Sequence, residues 1–282
     1  SIPSQNEPMT KKYERSWKDV YSERRKEMRY SAHGSLKDLN DVPALSVDED
    51  QRQELYTKRW AIGGTGFLGS FNDLLTNADA NYTAAEYVRQ QIKRVVKDKE
   101  TAEILCPRSY PIGTKRICID TGYFETYNRE NVKLVDISKK PIQRLVADGI
   151  IVDDQLYAFD SIIFDTGFDA MTGSIFNVDI KGRGGLALKE KWNAGPKTYL
   201  GLMSASFPNL FMITGPGSPS VKSNMIMSIE QHVDLVIETL LSMRRKGLSV
   251  VEPELEAENK WVDHVQEVAN KTLFPQAKSW YM

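Results

Sequence analysis

Apolar residues follow two spacings along this chain, and the switch between them divides it. Up to about residue 110 they recur every three to four positions among Lys, Arg and Glu, which predicts helices. Tyr13, Trp17, Val20 and Tyr21 share one such face. Residues 31–50 have little period and predict a loop, and 48–60 predicts a polar helix. Thr83 with Glu86 three places on reads as a capping box ahead of the stripe Val88, Ile92, Val95 and Val96. This region is expected to be a helical insertion that covers a site made elsewhere.

From about residue 114 the apolar runs shorten. Residues 132–137 and 161–164 each predict a strand, the second one buried. Residues 142–147, 150–152 and 156–159, turning at Asp148-Gly149, predict a small antiparallel meander. Gly182, Gly184 and Gly185 mark a loop, and 186–192 a short helix. Short strands alternating with helices predict an α/β class.

The chain is organised around residues 207–232, FPNLFMITGPGSPSVKSNMIMSIEQH. Residues 210–213 read as a buried strand, Gly215-Pro216-Gly217-Ser218-Pro219 as a tight loop, and a long amphipathic helix starts near Asn224. The helix should lie on a sheet through Ile229, Val233, Val236, Ile237, Leu240 and Leu241. Strand, glycine-proline loop and helix N-terminus together place unpaired N–H groups and the positive end of a dipole at one spot. With Met225, Ile226 and Met227 to pack a flat ring, this reads as the ring-binding half of a flavin site. A last helix starts at Pro253 and runs to about Phe274.

Composition narrows the function classes. The 282 residues carry a net charge of -1, with 41% hydrophobic and 27% charged positions, so no global basic field points to nucleic acid or a membrane surface. Cys106 and Cys118 make no CxxC pair, and His33, His232 and His264 lack metal-ligand spacing. His232 and His264 read as helix-surface or core groups. A cytoplasmic, monomeric protein is the expectation. The opening SIPSQNEPMT does not read as a translation start and KSWYM ends abruptly, so a fragment is expected.

Residues 64–69, GTGFLG, match a dinucleotide fingerprint and offer a reductase or epimerase reading. That loop needs a buried strand before it, and here YTKRW precedes it in helical pattern. A glycine-rich joint between helices is the better reading. Elsewhere, Lys115-Arg116 after Gly113-Thr114 offers a point charge and a planar fork for anions. Thr166-Gly167 at a strand end would let a cofactor approach closely. Asp165 is unusual there: either a paired buried carboxylate or a departure from relatives.

Four stretches in order carry a resemblance over nearly the whole chain: GTKRICIDTGYFETYNRENVKLVDI, FDTGFDAMTG, LKEKWNAGPKTYLGL and FPNLFMITGPGSPSVKSNMIMSIEQHV. Together they resemble the Baeyer–Villiger monooxygenases, closest to the phenylacetone and steroid monooxygenase group. The resemblance implies an α/β flavoprotein with FAD and NADP domains: 1–111 as the helical insertion, 112–160 as the second half of the NADP domain, 161–282 as the second half of the FAD domain. It implies NADPH and FAD as cofactors, and a ketone and O2 as substrates. The product is an ester or lactone, formed through a flavin C4a-peroxide. Lys115 is similar to the lysine that meets the NADPH 2′-phosphate, and Arg116 to the active-site arginine beside the flavin. Thr166, Gly167, Gly215, Pro216, Gly217 and Asn224 fall in cofactor-binding stretches. Met225 falls near flavin and substrate, and Trp280 where a tryptophan contacts NADP. Asp165 stands where relatives usually have Ala, and Lys222 where the phenylacetone enzyme has an apolar residue near the substrate. The two Rossmann fingerprints are absent, which leaves a non-catalytic fragment as the alternative.

Overall fold

The computed structural model describes residues 1–4, 8–31, 33–36, 39–218 and 223–279. In chain order the elements are β1 (Ile2–Pro3), α1 (Lys11–Lys18), α2 (Tyr21–Arg29), α3 (Glu49–Ile62), α4 (Ala78–Val95), α5 (Lys99–Ile104), β2 (Ile119–Asp120), α6 (Tyr123–Thr126), β3 (Ile142–Val146), β4 (Gly149–Val152), β5 (Gln155–Ala158), α7 (Gly173–Phe176), α8 (Leu188–Lys191), α9 (Met225–Lys246) and α10 (Leu255–Asn270). Contacts divide the chain into two discontinuous units, Ser1–Gln5 with Val42–Phe168, and Asn6–Asp41 with Asp169–Met282. Helices α1 and α2 thus group with the C-terminal part and not with 42–111.

The first unit is built on α3 and α4. Asp48 caps α3 by accepting from the Gln51 amide at 2.8 Å, and the Gln51 side chain returns to the Asp48 amide. The capping box read at Thr83 is not one. Helix α4 starts five residues earlier, capped by Asn77, and Thr83 Oγ1 lies inside it, donating to the Ala80 carbonyl. The predicted stripe holds: Val88, Ile92 and Val96 are buried. The GTGFLG stretch is a 3-10 turn after α3, with no strand before it. Its Phe67 is fully buried and packs 5.5 Å from the Tyr56 ring and 5.9 Å from Tyr87. The motif is a packing joint, which removes the reductase reading. The meander forms as β3–β4–β5, antiparallel, and β1 pairs with β2 in parallel.

The second unit has a smaller core of Leu188, Trp192, Phe207 and Met212. Its deepest polar group is Glu258 on α10, fully buried. One carboxylate oxygen accepts from Ser204 Oγ at 3.0 Å and the Ala205 amide at 2.8 Å, and both oxygens accept from Lys191 Nζ, the nearer at 2.8 Å. Helix α8, the 204–205 turn and α10 are joined through that one carboxylate. Helix α2 is tied to α9 by Arg25 with Glu230 and by Arg29 with Asp234 at 2.9 Å.

Three predicted strands do not form. Residues 132–137, 161–164 and 210–213 carry no strand, and 161–170 is exposed throughout, with Ile163 at 93% and Phe168 at 97%. A strand exists only where a neighbour takes its N–H and C=O groups in a ladder, and among the described residues no ladder forms beside these; the Met212 amide reaches the Leu202 carbonyl at 2.7 Å without one. The same holds for α9. Its buried positions are Met227, Ser228 and His232, while Val233, Ile237, Leu240 and Leu241 are exposed. The sheet expected beneath that face is not among the described residues. Asp165 is exposed too, which removes the buried-pair reading.

Magnitudes separate the buried ion pair from the surface ones. Lys191→Met strands a buried carboxylate and is expected to lower the unfolding free energy by about 3–5 kcal/mol. Lys260→Met, which breaks the exposed pair with Glu256, should change it by less than about 1 kcal/mol. Urea denaturation of both variants checks this, and equal losses would contradict it.

Candidate functional site

The glycine loop 215–218 is packed against the turn at 197–203. That turn is rooted first: Trp192 Nε1 donates to the Lys197 carbonyl at 2.9 Å, and Ser204 Oγ shares its single proton between that carbonyl and Glu258, each at 3.0 Å. Buried Thr198 then donates through Oγ1 to the Pro216 carbonyl at 2.6 Å. From the other side, Trp261 on α10 donates through Nε1 to the Gly217 carbonyl at 3.1 Å. Glycine is needed at the close approaches. Any Cβ on Gly201, at φ +68°, would run into the backbone of Ser218, and one on Gly215 would lie 2.6 Å from the Gly201 carbonyl oxygen.

The loop is entered through strained backbone. Thr214 has φ +56°, a conformation that β-branched residues rarely adopt, and Leu200 on the facing turn has φ +57°. Thr214 is held there by its amide, which donates to His232 Nδ1 at 3.0 Å. His232 is buried on α9, and burial pushes its pKa below the ordinary value of 6.5. The sequence reading of His232 as a core group fits this, and its acceptor role requires the neutral ring.

Past the loop, Asn224 caps α9, accepting from the Ile226 amide at 3.1 Å, while its own amide donates to the His33 carbonyl at 2.9 Å. The first turn of this 22-residue helix has no acidic side chain of its own to offset its positive end. Met225 is half-buried and Ile226 exposed at that end. Gly215, Pro216 and Gly217 lie in the loop held by Thr198 and Trp261, and Asn224 and Met225 at the start of α9, in the same unit. Lys222 and Trp280 lie outside the described residues.

Lys115, Arg116, Thr166 and Gly167 belong to the other unit. There Gly113 turns at φ +84°, with no room for a Cβ beside Leu68 and Leu75, and fully buried Thr114 anchors the turn through the Pro111 carbonyl at 2.6 Å. Lys115 and Arg116 are exposed on the rim of a cavity of about 250 Å³ whose walls include Tyr110, Ile117, Cys118 and Tyr123. Lys115 Nζ lies 4.6 Å from the Tyr110 ring centre. Thr166 and Gly167 are in the open, Gly167 at φ +81°.

Sequence reasoning missed Thr198, Trp261 and Glu258. Thr198 sits in a quoted motif, but nothing marks its hydroxyl as a clamp. Trp261 and Glu258 lie in a helix that reads as amphipathic surface. Among the described residues no cluster of His, Cys, Asp and Glu fits a metal ion, and no helix is long and apolar enough to cross a membrane.

No family model matches the chain. It is 39% identical over 242 residues to a Baeyer–Villiger monooxygenase of Pseudooceanicola batsensis, covering 84% of this chain and 44% of that protein. Among solved structures it superposes on an oxidised steroid monooxygenase bound to NADP with a TM-score of 0.94 at 44% identity, covering 99% of this chain and 54% of the other. The structure of OTEMO in complex with FAD and NADP gives a TM-score of 0.95 at 34% identity, with 100% and 53% covered. The chain spans about half the length of the relatives it matches.

The His232 geometry sets a pH dependence. With its folded pKa lowered, the unfolded state binds more protons as pH falls below about 6.5, so stability drops toward acid. His232→Gln keeps an acceptor for Thr214 without the titration. Melting temperatures between pH 5 and 7.5 should fall more on the acid side for the parent than for the variant.

Proposed function

The chain matches the Baeyer–Villiger monooxygenases over about half of their length, and from that premise we propose that its natural gene product is an NADPH- and O2-dependent flavin monooxygenase. It inserts oxygen beside a ketone carbonyl to give an ester or lactone. The observation that carries the reading is the end-to-end match to the steroid monooxygenase at 44% identity. We place the protein in the cytoplasm, on its two free thiols. Residues 42–111 would be the helical insertion and 112–160 the second half of the NADP domain, while 161–282 would be the second half of the FAD domain, with α1 and α2 grouped with its 169–282 part.

The second unit fits one part of FAD, the electron-rich edge of the flavin ring. The loop 215–218 presents the exposed Gly217, and α9 offers the positive end of a helix whose first turn has no acidic side chain. Bound FAD, reduced by NADPH, would supply the oxygen-activating redox chemistry. This chain's residues then have assigned tasks. Gly215, Pro216, Gly217 and Asn224 hold the ring edge, and Met225 packs against ring and substrate. Thr166 and Gly167 line the cofactor path. Lys115 meets the 2′-phosphate of NADPH as a point charge, and Trp280 contacts the same cofactor. Lys222 sets a charge near the substrate. Arg116 brings a planar guanidinium that stabilises negative charge as it develops on oxygen.

Arg116→Ala in the natural gene product is expected to cost about 3 kcal/mol or more at the oxidation step, read as ketone turnover. Equal turnover in variant and parent would remove that role. The 282-residue chain alone lacks the paired βαβ units that grip pyrophosphates, so fluorescence titration should find FAD bound weakly or not at all. A stoichiometric flavin spectrum from the chain alone would overturn this.

A further inference from the structure

Two carbonyls in the glycine loop are each held by a side chain from outside it, and the consequence is directional. A trans peptide sets its C=O and the following N–H on opposite sides. No cis peptide occurs among the described residues. With the Pro216 carbonyl on Thr198 Oγ1, the Gly217 N–H must face away from the 197–203 turn. Gly217 is exposed, and its N–H has no acceptor among the described residues. Trp261 fixes the next peptide in the same way by taking the Gly217 carbonyl, while the Ser218 amide is used inside the loop on the Gly215 carbonyl at 3.2 Å. One donor is thus left pointing away from the turn.

We propose that Thr198 and Trp261 are positioning residues that aim the Gly217 amide at an acceptor atom of the flavin ring. The proposal rests on the flavin reading of this loop. Neither side chain needs to touch the cofactor. Thr198 is buried and its hydroxyl is spent on the Pro216 carbonyl. Trp261 is borne by α10, whose Glu258, one turn earlier, is anchored to Lys191, Ser204 and Ala205. The indole therefore hangs from a helix anchored at Glu258, and the Thr198 turn shares that anchor through Ser204 and Lys197. Aim is set on both sides by groups with a common anchor, which is what a donor that must meet one ring atom requires.

The test uses the natural gene product with Thr198→Val, Thr198→Ser and Trp261→Phe. Thr198→Val removes the donor at near-constant shape, and Thr198→Ser restores it. The readouts are the FAD dissociation constant and the visible circular dichroism of bound flavin, which reports ring environment and not global stability. Thr198→Val is expected to weaken FAD binding at least tenfold and change the flavin dichroism, Thr198→Ser to return both to the parent, and Trp261→Phe to shift both in the same direction. Parental values in Thr198→Val and Trp261→Phe would overturn the positioning role, as would a Thr198→Ser protein that stays as impaired as Thr198→Val. If Thr198→Val does not fold, Trp261→Phe, whose indole is half-exposed, decides alone. A parent protein that takes up no flavin would instead refute the flavin reading, and this inference with it.

Discussion

The second unit depends on one buried carboxylate. Glu258 is fully removed from water, and such a charge is tolerable only if charge and hydrogen bonds replace its hydration. Lys191, Ser204 and the Ala205 amide do so. Lys191 Nζ also donates to the Ala205 carbonyl at 2.5 Å, so lysine, turn and helix form one closed set. An apolar core of four residues would fix these segments loosely. The ionic set fixes them in direction, because each hydrogen bond has an angle as well as a length.

That fixed direction reaches the glycine loop. Ser204 supports Lys197, the neighbouring Thr198 holds Pro216, and Trp261 holds Gly217. Strain enters on the other side, where Thr214 keeps an unfavourable φ because buried His232 accepts its amide. A β-branched residue holds such a conformation only when its surroundings over-determine it. Here α9 supplies the histidine on the same helix whose N-terminus follows the loop. Helix, loop and turn are thus linked by hydrogen bonds.

The exposed apolar surface follows from the same accounting of backbone and side-chain groups. Residues 161–164 and 210–213 have strand sequences without strand neighbours among the described residues, and α9 turns Val233, Ile237, Leu240 and Leu241 to solvent. The relatives this chain matches are about twice as long. Isolated apolar side chains on a surface are ordinary, whereas a whole helix face and an extended run including Ile163, Phe164 and Phe168 are not.

The sequence by itself determined what depends on near neighbours. Asp48 with Gln51 starts α3, Asn224 starts α9, and the turn Asp148-Gly149 folds the meander, because capping and turn bonds close within three or four residues. The GTGFLG stretch was legible as a joint for a related reason: the residues before it have helical spacing, and Phe67 needs a core. Where the pattern misled, the reasons differ: at Thr83, Asn77 had already started α4 six residues earlier, and residues 132–137, 161–164 and 210–213 have no strand beside them among the described residues. Only the tertiary structure decided that Glu258 lies in the interior, that Trp261 reaches Gly217 across 44 positions, and that Thr198 takes the Pro216 carbonyl. No spacing rule encodes these contacts, since a side-chain hydrogen bond between distant segments is set by where packing leaves them and not by any period along the chain.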